Sequence, residues 1–250
     1  MRGTMRSLLC VFAHPDDESF FSAGTIRRAA DAGVRVALCC ATRGQRGTTG
    51  HPPLATIEAL PAVREAELRE AARAAGVAEL VVLDYEDQHL AEAPPEAIRA
   101  TLVALVRRTR PQVVVTFDPN GGNLHPDHVA ISRFTLDAVT AAADPRALPG
   151  CGAPHRADRV VWVGPVAPWE ETDRARLAAR PGVDFLVDTA AQVAAKAAAL
   201  AAHRTQRAGI DRLFLARPDR DAVLASETYR LGWGAPPPAV PADDLFAGLA

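Results

Sequence analysis

The sequence predicts an α/β fold, a Rossmann-like and mostly parallel sheet with helices on both faces, in a single domain. Three observations carry this expectation. Continuous apolar runs at Leu8–Ala13, Val34–Ala41 and Val113–Phe117 suit strands buried on both faces. Helical stretches separate them, and two end at Gly33 and Gly76, where glycine closes a helix readily. The alternation of strand and helix implies βαβ units with right-handed crossovers.

Taken in order, Leu8–Ala13 leads into a polar turn, and a helix is expected from Ser19 to Ala32. Val34–Ala41 is the second strand. The connection from Thr42 to Pro61 is rich in Gly, Thr and Pro, and within it Arg43–Gly50 reads as a mobile loop framing a site. Ala62–Ala75 is a helix, Leu80–Leu83 a strand, and a further helix covers about Pro95–Arg108. After the strand Val113–Phe117 and the loop Asp118–Leu124, His125 opens a helix that runs to about Ala142; Pro126 suits its first position. Val160–Val163 and Asp184–Val187 look like strands, and Thr189–Arg204 is strongly helical. No repeat or long linker divides the 250 residues, so one domain over 1–250 is expected, with a regular βα core over 1–145 and a less regular part over 146–250.

Composition narrows the function classes. Lys plus Arg is 28 against 30 Asp plus Glu, and a net charge of -2 argues against nucleic acid as a partner. Aromatic residues at 5% leave no stacking platform for bases. No stretch approaches the ~20 apolar residues of a membrane span. The four cysteines form no C-x-x-C pair, which favours a reducing cytoplasm. A small-molecule partner remains, and a homo-oligomer is compatible with the chain.

Chemistry gathers at two strand ends. His14-Pro15-Asp16-Asp17-Glu18 follows the first strand, and His125-Pro126-Asp127-His128 lies one loop beyond Val113–Phe117. In open α/β sheets, ligands bind outside the carboxyl ends of the strands. His14 and Asp17, three apart on a tight turn, aim at one point; His125 and His128 share a helix face. Each run alone reads as a capped helix start, but both at one rim point to a transition ion. Imidazole and carboxylate are good zinc ligands, and the same set serves Fe2+ or another divalent transition metal. Asp16, projecting differently from Asp17, is placed to act as a general base, and His125 to stabilise an oxyanion or protonate a leaving amine.

The Ala13–Glu18 run, the His125–His128 run and the layout between them resemble the LmbE/PIG-L family of metal-dependent N-deacetylases. Thr42-Arg43-Gly44 resembles its post-strand loop, Arg64 with Glu67 its R-x-x-E helix, and Lys196 with His203-Arg204-Thr205-Gln206 a recurring K…H-[ST]-Q pattern. The resemblance implies His14, Asp17 and His128 as metal ligands, Asp16 as base, and His125 as acid or electrostatic partner oriented by Asp127. It implies Arg64 and Asp87 as sugar contacts, and Arg43 and Asn123 join them as substrate-binding candidates. Asn123 stands where some members carry a Tyr, and Gln45 where several carry Glu. The activity implied is removal of an N-acetyl group from an N-acetylglucosamine-type amino sugar conjugate. The competing readings are an amidase on a thiol conjugate or other N-acyl natural product, and a non-catalytic sugar- or nucleotide-binding module.

Overall fold

The structure, a computed structural model, describes residues 6–249. The apolar runs become strands that no side of the sheet exposes. β1 (Ser7–Phe12) is buried at every position, as is β4 (Val113–Thr116). β2 (Arg35–Thr42) is buried after its first residue, and β3 (Glu79–Tyr85) is the half-covered edge. The order is β3-β2-β1-β4, all parallel, and it continues into β5 (Arg159–Val163), then β7 (Ser226–Gly234), then β6 (Phe185–Asp188). β7 runs antiparallel to both of its neighbours. Residues 146–249 thus complete the same seven-stranded sheet.

β7 was not expected from the sequence. Glu227, Arg230, Gly232 and Gly234 break its apolar pattern, although its first four residues are buried. The helix expected over Ser19–Ala32 is two, α1 (Asp17–Phe21) and α2 (Ala23–Asp31), broken at Ser22. The break has a cause across the sheet. A helix start leaves N–H donors unpaired, and here Gly24 and Thr25 donate theirs to Glu227 Oε1 and Oε2 at 3.0 and 2.8 Å.

Between the strands run α3 (Leu60–Ala75), α4 (Pro95–Thr109), the single turn α5 (Gly121–Leu124) and α6 (Pro126–Ala143). The short α7 (Arg174–Ala178) and α8 (Val193–Ala202) follow, α8 being shorter than the stretch expected over Thr189–Arg204 because 3-10 turns flank it. α2, α3 and α8 pack together, and α4 packs on α6, as right-handed crossovers on opposite faces require. Among the described residues, no helix is long and apolar enough to cross a membrane.

Candidate metal centre

The strand order reverses between β1 and β4, because the crossover from β1 goes to β2 and the one from β4 to β5 on the other side. A crevice opens at the carboxyl ends of such a pair. His14, Asp16 and Asp17 follow β1 directly, and α5 returns the chain from β4 so that His125 and His128 start α6 beside them. Together they line a cavity of about 240 Å3.

His125 caps α6: its Nδ1 accepts the Asp127 N–H at 3.2 Å, with Pro126 in the first turn as expected. His128, one turn in, has Nδ1 3.1 Å from Gly121 O, so its Nε2 is free to face His14. His14 Nδ1 and His128 Nε2 are 3.2 Å apart. Asp17 Oδ2 is 3.6 Å from His14 Nδ1, and Asp17 Oδ1 is 3.4 Å from His128 Nε2. Bonds of about 2.0–2.1 Å in a tetrahedral zinc site place ligand atoms about 3.3 Å apart. The three side chains are spaced as three corners of such a site would be, and their N, N, O donor set suits a transition ion.

His14 is held from behind. Its Nε2 lies 3.0 Å from Asp127 Oδ2 and 3.1 Å from Asp87 Oδ1. A ring proton on Nε2 is thereby shared with carboxylates and the Nδ1 lone pair is left for a cation, the usual support of a ligating histidine. Two other triads lie close enough to be read as a metal cage, His14 with His125 and His128, and His14 with Asp87 and Asp127. In the latter, the His14 ring nitrogen is at hydrogen-bond distance from both carboxylates, so that set supports His14 instead. Burial opposes a charge on His14, but its bonds to Asp127 and Asp87 and the Asp17 charge push its pKa up to about 10. Burial likewise opposes the Asp17 carboxylate, yet His128 and His14 bring it down to about 2. The pocket is built to hold positive charge. His125 goes the other way: burial, then the neighbouring His14 and His128, lower its pKa. It is neutral near pH 7, and with Nδ1 accepting, its proton sits on Nε2.

Asp16 adopts φ 113°, the left-handed region that Asp tolerates better than most residues. This turns its carboxylate away from that of Asp17, and it is only partly buried. Burial pushes its pKa up to about 6, against the pull of Arg64. Glu18 fixes the turn, its Oε2 accepting the Asp16 N–H at 3.1 Å while its Oε1 lies 2.8 Å from His203 Nε2. His203, fully buried at the end of α8, stands behind the acidic turn and does not line the cavity.

The four candidate substrate contacts are bonded as follows, with Arg64 and Asp87 among the residues that line the cavity. Arg64 is 3% exposed, and its guanidinium is committed to protein. Nη2 donates to Asp16 Oδ2 at 3.1 Å and to Pro15 O, and Nη1 donates to Gly44 O at 2.9 Å. It positions Asp16 and ties two loops together. Gly44 and Gly47 make room for it: a Cβ on either would overlap Arg64 Nη1. Asp87, 4% exposed, is taken up by His14 and by the Arg46 N–H at 2.9 Å. The Asp127 carboxylate serves His14 and the N–H groups of Gln88 and Leu90, at 2.6 and 3.0 Å. It is the Asp127 backbone, and not its carboxylate, that orients His125. Arg43 faces Glu65 and Asp84, at 3.3 and 3.2 Å, outside the cavity. Asn123 is exposed and accepts the His125 N–H at 3.1 Å, so it shapes the turn before that ring.

The loop after β2 is fastened over residues 43–48 more firmly than its composition suggests. Besides Arg64, Gln45 Nε2 donates to Tyr85 O at 3.1 Å, and Thr48 Oγ1 donates to Thr205 O at 2.6 Å. Gln206 Nε2 donates to Thr48 O at 2.9 Å, while Glu67 accepts from the N–H and Oγ1 of Thr205, at 2.9 and 2.7 Å. Arg46, Gln88 and Gln206 line the cavity and were not singled out in the sequence as site residues. Gln88 has φ 70°, which no local pattern betrays, whereas Gln206 lies in the noted K…H-[ST]-Q stretch.

Comparison with known proteins gives the chain's relatives. The GlcNAc-PI de-N-acetylase family (PIG-L) matches residues 9–139, a span that holds every residue of the two strand-end runs. A 1D-myo-inositol 2-acetamido-2-deoxy-alpha-D-glucopyranoside deacetylase of Streptomyces griseus is 34% identical, over 98% of this chain and 89% of its own. A probable N-acetyl-alpha-D-glucosaminyl L-malate deacetylase 2 of Bacillus cereus is 37% identical over 54% of this chain and 61% of its own. The crystal structure of a conserved protein from Thermus thermophilus superposes with a TM-score of 0.69 at 29% identity, covering 92% of this chain and 96% of that one.

Proposed function

The chain belongs to the GlcNAc-PI de-N-acetylase (PIG-L) family, and from that premise we propose that it is a metal-dependent hydrolase removing the N-acetyl group of an N-acetylglucosamine-type conjugate. The observation that carries the reading is the triangle of His14 Nδ1, His128 Nε2 and Asp17, with the carboxylate of Asp16 beside it. His14, Asp17 and His128 would hold the ion, with zinc the choice that best suits two imidazoles and a carboxylate. Such an ion, when bound, supplies Lewis acidity, lowering the pKa of water to about 7 and polarising a carbonyl.

The chain's own groups do the rest. Asp16 takes a proton from the water as its oxygen bonds to the acetamide carbon. Arg64 holds that carboxylate in place, and the left-handed turn aims it. His125, neutral with its proton on Nε2, donates a hydrogen bond to the carbonyl oxygen as negative charge develops there. When the carbon–nitrogen bond breaks, the proton passes to the departing nitrogen, leaving acetate and a free amine. Asp127 and Asp87 keep the His14 ring in register throughout. We place the enzyme in the cytoplasm, in keeping with four free cysteines of which three are buried, and treat 1–250 as one working unit.

Zinc-loaded protein is expected to release acetate and primary amine in equal amounts from the 2-acetamido-2-deoxyglucoside of inositol. A chelator should stop the release and added zinc restore it. Fully metal-loaded protein that frees no acetate from any N-acetylglucosamine conjugate would refute the reading.

A further inference from the structure

Arg46 lines the cavity with a fixed backbone and a side chain held only by an exposed ion pair. Its N–H donates to Asp87 Oδ2 at 2.9 Å, the same carboxylate that supports His14. On either side the loop is pinned by the bonds from Arg64 to Gly44 O, Gln45 to Tyr85 O and Thr48 to Thr205 O. The guanidinium is different. It is 54% exposed, and its ion pair is with Glu86, 3.0 Å away and 53% exposed. A pair as solvated as this adds little stability, so an arriving anion can replace Glu86 easily. Arg64, the other arginine lining the cavity, is buried and spent on three protein oxygens. Gln88 and Gln206 at the rim are neutral, and Gln45 turns its amide to Tyr85 O.

An open guanidinium fork matches the paired oxygens of a carboxylate or phosphate better than any neutral hydroxyl. Resting on the deacetylase reading above, we infer that Arg46 sets specificity by binding an oxyanion on the part of the substrate remote from the acetamide. The oxyanion competes with Glu86 for the same fork, so the two side chains act in opposite senses. Asp16 and His125 sit on other segments of the chain, and the Arg46 guanidinium pairs with Glu86 and with neither of them.

The test is steady-state kinetics of the wild type, Arg46→Gln and Glu86→Gln on three N-acetylglucosamine conjugates: of inositol, of inositol phosphate and of L-malate. A hydrogen bond to a charged group is worth about tenfold in affinity, so Arg46→Gln should raise KM on the anionic conjugates by at least that and leave kcat unchanged. Glu86→Gln should lower KM on them severalfold, while the inositol conjugate stays within twofold for both variants. An effect on the malate conjugate alone assigns the site to carboxylate, and one on the inositol phosphate conjugate alone to phosphate. If Arg46→Gln shifts neutral and anionic conjugates alike, or shifts neither, the inference is overturned. Acetate release from none of the three by the wild type would count against the deacetylase reading instead. Calorimetric titration of glucosaminyl L-malate and glucosaminyl inositol phosphate into zinc-loaded wild type and Arg46→Gln then decides without turnover. Weakening of either by the variant supports the role of Arg46, and equal affinities for both contradict it.

Discussion

Asp16→Asn is expected to lower kcat for acetate release by about a thousandfold, within the range a positioned general base contributes, while zinc content stays at the wild-type level. The substitution isolates the proton. Asn has the same shape, accepts from Arg64 Nη2 as Asp16 does at 3.1 Å, and tolerates the left-handed backbone at φ 113°. The Glu18 carboxylate that receives the residue-16 N–H is unchanged. Asp17, His14 and His128 keep their triangle because Asp16 is not part of it. What is lost is a site that can take a proton from attacking water. Paired metal analysis and single-turnover acetate assays check both halves. Near wild-type turnover would show that another group is the base, and loss of zinc would show that Asp16 belongs to the ligand set.

Glu227→Ala should destabilise the folded chain by about 3–5 kcal/mol, the range for breaking a buried ion pair from one side. Lys196 is fully buried, and its Nζ donates to Glu227 Oε1 at 2.7 Å. The same carboxylate accepts from the N–H groups that open α2 and from Tyr229 Oη at 3.1 Å. Removal of Glu227 strands an ammonium in the core and leaves those donors without their acceptor. Lys196→Met should cost less, because Glu227 keeps both α2 donors and Tyr229, and a carboxylate at a helix start is favoured by the helix dipole. Urea unfolding of both variants gives the ordering. A larger loss from Lys196→Met, or less than about 1 kcal/mol from Glu227→Ala, would contradict this account of the pair.

The parts of the site that declare themselves in the sequence are those whose chemistry is unusual for their place. His14, Asp16, Asp17, His125 and His128 lie in two short runs at strand ends, and the parallel order of β1 and β4 joins them across 114 residues. The supports are quieter. Arg64 acts on backbone carbonyls of two loops, which carry no residue signature, so its hold on Asp16 does not show in the chain alone. Asp87 and Asp127 share one ring nitrogen of His14, a meeting that only the folded loops after β3 and β4 arrange. Arg46 is one arginine among many in a polar stretch until its N–H is seen on Asp87. The same holds for the fold. Apolar runs buried on both faces gave away β1, β2 and β4, whereas β7 carries Glu227 and Arg230 and takes its strand character from pairing with β5 and β6.

Residues from the β1 side and the β4 side of the crevice are expected to grip a single ion, and elemental analysis with affinity measurement tests this most directly. Zinc-loaded wild type, desalted and digested, should hold about one tightly bound ion per chain, as a three-ligand catalytic site does. His128→Ala and Asp17→Ala, each lacking one corner of the triangle, should bind zinc at least tenfold more weakly, while Arg43→Ala, outside the cavity, should match the wild type. Zinc affinity that is unchanged when either corner is removed would contradict the account.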